Sequence, residues 1–66
     1  MELFVNGAAR RFPAPLSVAD LVAALELTGK RIAVEVNGDI VPRGRHAETQ
    51  LQAADRIEIV VAVGGG

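Results

Sequence analysis

The stretch that decides the fold is Ile32-Ala33-Val34-Glu35-Val36-Asn37-Gly38-Asp39-Ile40-Val41-Pro42-Arg43. Ile32, Val34 and Val36 alternate with Ala33 and Glu35, the period of two that lays β-branched side chains on one face of a strand. Asn37-Gly38 follows at once. Both residues tolerate positive φ, the requirement of a two-residue hairpin turn, so the chain should fold back into a short partner strand around Ile40-Val41. Pro42 has no N–H to give to a ladder and stops that strand.

Upstream the same turn chemistry recurs. Leu3-Phe4-Val5 is an extended apolar start, Asn6-Gly7 is a second hairpin signal, and Arg10-Arg11-Phe12 reads as the return strand before Pro13 and Pro15. Between the hairpins the period changes. Ser17 is a candidate N-cap, Asp20 stands at the third helical position in place of the usual Glu or Gln of a capping box, and Leu16 and Leu21 can close as a hydrophobic staple. Val18, Leu21, Val22 and Leu25 then recur at i, i+3, i+4 and i+7, an apolar stripe that must pack on a sheet. Gly29 is the expected C-terminal stop. Downstream, Arg43 to Arg56 is polar and irregular with Leu51 as its large apolar anchor. The final strand, Ile57 to Val63, turns Ile57, Ile59 and Val61 toward the helix.

Composition limits what such a chain can do. A 66-residue domain buries only about 60% of the surface its unfolded chain exposes, leaving little room for a deep catalytic cleft. Half of the residues are apolar, yet Phe4 and Phe12 are the only aromatics, so the core is aliphatic. With no cysteine, neither disulfides nor thiolate metal sites can staple it, and a cytoplasmic location is expected. Met1-Glu2-Leu3 lacks the basic start of a signal peptide, and Ile59 to Val63 is too short to cross a bilayer. A net charge of -1 gives no basic excess for nucleic acid; Arg10-Arg11 has Phe12 alone beside it, and the Arg43 and Arg45 pair has no aromatic neighbour for stacking.

The side chains carry few signs of chemistry of their own. Asp20, Glu26, Glu48, Asp55 and Glu58 form no pair whose pKa values would separate, Ser17 and Thr28 have no base in view, and His46 reads as a lone surface histidine without a second ligand. No catalytic and no metal-binding residue is expected.

The order of hairpin, helix, hairpin, loop and strand resembles the β-grasp or ubiquitin-like fold, an α+β architecture with a mixed four- to five-stranded sheet packed on one helix. Within it the chain resembles the ThiS family, the sulfur-carrier proteins of thiamine biosynthesis. The likeness is carried by Leu3-Phe4-Val5-Asn6-Gly7, Ser17-Val18-Ala19-Asp20-Leu21-Val22, the Val34 to Arg43 segment and the closing Gly65-Gly66. It departs where many members have Gly-Asp before the last strand: Ala54-Asp55 stands there, and a positive φ at that turn would strain Ala54. The resemblance implies a parallel central pairing of first and last strands, a β-grasp domain over residues 1–63, and a flexible glycine tail over 64–66.

It also implies a chemistry for that tail. A partner of the E1-like adenylyltransferase type, ThiF in this family, uses ATP to adenylylate the Gly66 carboxylate. A sulfur donor such as a cysteine desulfurase then supplies sulfur, leaving a thiocarboxylate on Gly66 that passes its sulfur to thiazole synthase, ThiG. The carrier binds no cofactor and is a co-substrate rather than an enzyme. Without β-carbons, Gly64, Gly65 and Gly66 can thread a narrow channel, and the chain from Val63 extends roughly 13 Å. Gly65 and Gly66 match the family's terminal pair; Gly64 is an addition. In the family's pairing Phe4, Val60 and Ala62 form one exposed apolar patch at the root of the tail, a docking face for the activating enzyme. Arg43 matches a family position that can pair with an acidic partner. Two alternatives stand beside this reading: the small-subunit sulfur carrier of molybdopterin synthase, and a ubiquitin-like modifier or interaction module.

Overall fold

The computed structural model describes residues 1–62. The end of the anticipated last strand at Val63 and the tail glycines Gly64, Gly65 and Gly66 lie outside the described residues. Five strands form one mixed sheet: β1 (Glu2–Val5), β2 (Ala8–Arg11), β3 (Ile32–Val36), β4 (Asp39–Val41) and β5 (Arg56–Val61), in spatial order β2-β1-β5-β3-β4. One helix, α1 (Val18–Ala24), and a 3-10 turn at Arg43–Arg45 complete the elements.

Both Asn-Gly turns form as their sequence requires. Asn6 and Gly7 have φ of 51° and 83°, Asn37 and Gly38 have 52° and 88°, and each turn sets its hairpin register, Val5 opposite Ala8 and Val36 opposite Asp39. β5 lies in the middle, antiparallel to β3 from Ile57 opposite Val36 to Val61 opposite Ile32, and parallel to β1 at Phe4 with Arg56 and Val5 with Ile57. The first and last strands are thus the parallel central pair that the resemblance implied.

The strands alternate as their sequence dictates. Leu3, Val5, Val34, Ile57 and Ile59 are buried with Leu16, Val18, Leu21, Val22 and Leu51 in one core between sheet and helix. Burying such aliphatic side chains contributes about 1.5–3 kcal/mol each, the principal stabilising term in a chain of this size. Val61 shares their face but sits at the rim, 40% exposed, because the sheet outruns the helix there.

The helix start is a complete capping box: the Ser17 hydroxyl accepts from the Asp20 N–H, and the Asp20 carboxylate accepts from the Ser17 N–H, both at 3.0 Å. Asp therefore serves at that position. Its end differs from expectation. The helix stops at Ala24, not at Gly29, because Glu26 itself takes the left-handed conformation at φ 59°. The Leu27 N–H then reaches the Val22 carbonyl at 2.9 Å and the Glu26 N–H the Ala23 carbonyl at 3.0 Å, a Schellman closure. Gly29, at φ 83°, serves the next turn, where the Lys30 N–H meets the Leu27 carbonyl.

The polar stretch after β4 is more ordered than its composition suggests. His46 is 8% exposed, not a surface residue: its Nε2 lies 3.1 Å from the Val41 carbonyl, and its own carbonyl accepts the Ala19 N–H at 2.9 Å. These bonds tie the 3-10 turn to the first turn of α1. Ala54 has φ of 70°, the positive value that the departure from Gly-Asp put in question.

Candidate functional site

The site is built around the exit of β5 from the sheet. On one side β3 holds the strand to its end, and the Ala62 N–H donates to the Arg31 carbonyl at 2.9 Å. On the other side β1 stops earlier, and the Asn6 carboxamide takes over. Its Oδ1 accepts the Ile59 N–H at 2.8 Å and its Nδ2 donates to the Ile59 carbonyl at 3.2 Å. The base of β5 has its own clamp. Asn37 Oδ1 accepts the Arg56 N–H at 2.9 Å, Asn37 Nδ2 donates to Asp55 Oδ1 at 3.0 Å, and Asp55 Oδ2 accepts the Gln52 N–H at 2.8 Å. Asp55 also takes the Phe4 N–H on its carbonyl at 3.0 Å, so the start of β5 is bonded into both halves of the sheet.

Side chains at even positions of β5 point away from the helix. Val60 is 62% exposed and stands opposite Ala33 on β3, and Ala62 is also exposed. Phe4 is on the same outer face but beside Arg56, half-buried. Four steps along the strand separate the levels of Arg56 and Val60, about 13 Å, and Glu58 lies between them. The structure therefore does not join Phe4, Val60 and Ala62 into one apolar patch. Alternation alone gives the face; the parallel register decides the height, and it sets Phe4 at the opposite end from the tail. An apolar neighbour that the sequence reading passed over is Ile40, 72% exposed and paired with Glu35, whose outward position follows from the β3-β4 register.

Arg43 is exposed, and its Nη2 donates to the Lys30 carbonyl at 2.9 Å, bracing the loop between α1 and β3. The Arg43 guanidinium and the Lys30 and Arg31 carbonyls thus lie near the exit of β5. A groove of about 290 Å³ beside them runs between α1 and the 3-10 turn, floored by Val22, Leu27 and Ile32 with Arg43 and His46 at its side. It offers no acid–base pair and no paired nucleophile. Among the described residues no group of His, Cys, Asp or Glu could hold a metal ion, and no helix is long and apolar enough to cross a membrane. The arrangement thus holds the end of a central strand through β3 and Asn6 and leaves Val60 and Ala62 exposed.

Comparison with known proteins gives the arrangement its context. A sequence model of the ThiS family matches residues 3–66. A thiazole synthase of Paramagnetospirillum magneticum is 38% identical over 66 residues, all of this chain and 20% of that protein. The sulfur carrier protein ThiS of Bacillus subtilis is 42% identical over 50 residues, 76% of each chain. The chain thus spans about a fifth of the thiazole synthases it matches and most of the carrier. In structure it is similar to the crystal structure of the thiamine biosynthesis protein ThiS from Geobacter metallireducens, with a TM-score of 0.83, 30% identity and the whole of both chains covered.

Proposed function

Since the chain belongs to the ThiS family, we propose that it is a sulfur carrier of thiamine biosynthesis whose cargo is attached at Gly66. The observation that carries the reading is the pairing of a family match over residues 3–66 with a central strand, β5, after which only Ala62 and Val63-Gly64-Gly65-Gly66 follow in the sequence. The folded body is a handle. Contacts far from the reacting atoms supply the binding energy that places the tail, and the described residues offer no catalytic group of their own.

The carboxylate of Gly66 is anionic at neutral pH, with a reference pKa of about 3.5, and is a poor electrophile. Activation begins when a carboxylate oxygen attacks the α-phosphorus of ATP in an E1-like adenylyltransferase and pyrophosphate leaves. A cysteine desulfurase draws sulfur from cysteine as a persulfide, and a thiol such as excess cysteine reduces that persulfide to sulfide and is itself oxidised to a disulfide. The sulfide then attacks the carbonyl carbon. AMP leaves with the oxygen it shared, and the product is a thiocarboxylate. Gly64 and Gly65 let the reacting group enter a narrow channel, and no side chain on Gly66 blocks its carbonyl carbon.

The acceptor of the sulfur is a thiazole synthase. Support comes from the synthases that carry a segment similar to this chain within their own length, an arrangement that keeps carrier and acceptor together. The same likeness favours the thiazole pathway over molybdopterin synthesis. Val60 and Ala62, with Ala33 beside them, are the apolar docking face nearest the tail; Phe4 is remote from it, and Arg43 holds the adjoining loop. Val60→Asp should slow loading at least tenfold while Phe4→Asp changes it less.

The deciding experiment is intact mass measurement after incubation with ATP, the adenylyltransferase, a cysteine desulfurase and cysteine. Replacement of one terminal oxygen by sulfur supports the carrier. Isopeptide adducts on lysine would assign a modifier instead, and an unchanged mass would leave an interaction module.

A further inference from the structure

The Asn6 carboxamide occupies the place of a missing strand residue. Pairing of β1 with β5 ends at Val5 and Ile57, and the Asn6 N–H still reaches the Ile57 carbonyl at 2.9 Å. Beyond that point the chain turns away into β2. The next main-chain groups that β5 directs toward β1 belong to Ile59, two residues on, and the Asn6 side chain meets both, as a peptide group of a longer β1 would. Past Ile59, among the described residues, Val61 has no β1 residue paired with it, and β3 continues beside the strand through Ile32 and Arg31. Among the described residues Asn6 is therefore the last hold on that side of the strand, and a strand held on one side only is free to swing about its remaining ladder.

We propose that Asn6 is a positioning residue for the loading of Gly66: its carboxamide, by clamping Ile59, fixes the direction in which β5 delivers the tail to the activating enzyme. The proposal rests on the sulfur-carrier reading above. It follows that the turn position has two duties. Any residue at ease at φ 51°, glycine above all, would make the turn, but only a carboxamide of this length gives Ile59 both an acceptor and a donor.

Asn6→Gly separates the duties, since it keeps the turn and removes the clamp. Asn37→Gly is its control, removing the corresponding carboxamide from the base of β5, far from the exit. Adenylylation is read as ATP–pyrophosphate exchange by the adenylyltransferase against carrier concentration, at a temperature where circular dichroism shows each variant fully folded. Because small misplacements of a reacting group cost up to about 100-fold in rate, Asn6→Gly should lower kcat by about 10- to 100-fold with KM within about twofold. Asn37→Gly should leave both near wild type. Amide exchange at Ile59 in the free protein should accelerate at least tenfold in Asn6→Gly alone, a readout independent of any enzyme. Equal kcat for Asn6→Gly and wild type, an equal fall in both glycine variants, or unchanged exchange at Ile59 each overturns the proposal. A wild-type chain that supports no exchange of pyrophosphate overturns the sulfur-carrier reading first and this positioning role with it, even where Ile59 exchange responds.

Discussion

The two Asn-Gly hairpins share a dipeptide and nearly the same turn geometry, yet they hold the last strand in different ways. Asn37 acts at the base of β5 through exposed hydrogen bonds to Arg56 and Asp55, within a network that Gln52 and Phe4 also enter. Asn6 acts further along, through partly buried bonds to Ile59 alone. Removing the first carboxamide leaves neighbours that water and Asp55 can still satisfy. Removing the second leaves a half-buried peptide group without a partner, the more costly event. A turn signal read from sequence therefore gives the backbone path but not the second task of its side chain, which depends on what the fold brings opposite.

The sharpest break in this comparison comes where both hairpins meet on β5. Ile57 is 1% exposed, lies opposite Val5 and Val36, and gives its carbonyl to Asn6. Ile57→Ala should cost about 2–5 kcal/mol in urea unfolding, from lost burial and the cavity left behind. Next in size is the contrast itself: Asn6→Gly should cost about 1–2 kcal/mol, as expected for a partly buried peptide group that loses its protein partners. Asn37→Gly should cost under about 1 kcal/mol, because its partners face solvent. Equal costs would mean that the two turns are interchangeable. The smallest effect has the opposite sign. Ala54 turns into β5 with φ of 70°, and its N–H holds the Glu2 carbonyl at 2.8 Å, so Ala54→Gly keeps that bond while relieving left-handed strain. A gain of up to about 1 kcal/mol, seen as a raised Tm, is expected.

Much of this was legible in the residues. Alternation over Ile32 to Val36, the two Asn-Gly pairs, the Ser17 cap and the apolar stripe of α1 are local signals, and each produced its element. The parallel pairing of β1 with β5 was not, since it joins residues more than fifty positions apart and no periodicity encodes it; the family resemblance supplied it. The same gap explains the divided patch. Phe4 and Val60 both face outward, but their separation along the sheet follows from the register. Glu26 ended the helix early because a Schellman closure set the left-handed position there, overriding the preference for glycine. His46 carried no mark of burial, since its partners, the Val41 carbonyl and the Ala19 N–H, are main-chain groups assembled only by the fold.

In the proposed function the molecule divides into a body that holds itself together and a terminal glycine that carries the cargo. The most direct test removes Gly66 and follows two quantities together: Tm by circular dichroism, and incorporation of sulfur by intact mass after incubation with ATP, adenylyltransferase, desulfurase and cysteine. An unchanged Tm and complete loss of sulfur incorporation are expected. Sulfur still gained by the shortened chain would contradict that function, because the cargo would then be carried elsewhere than at Gly66.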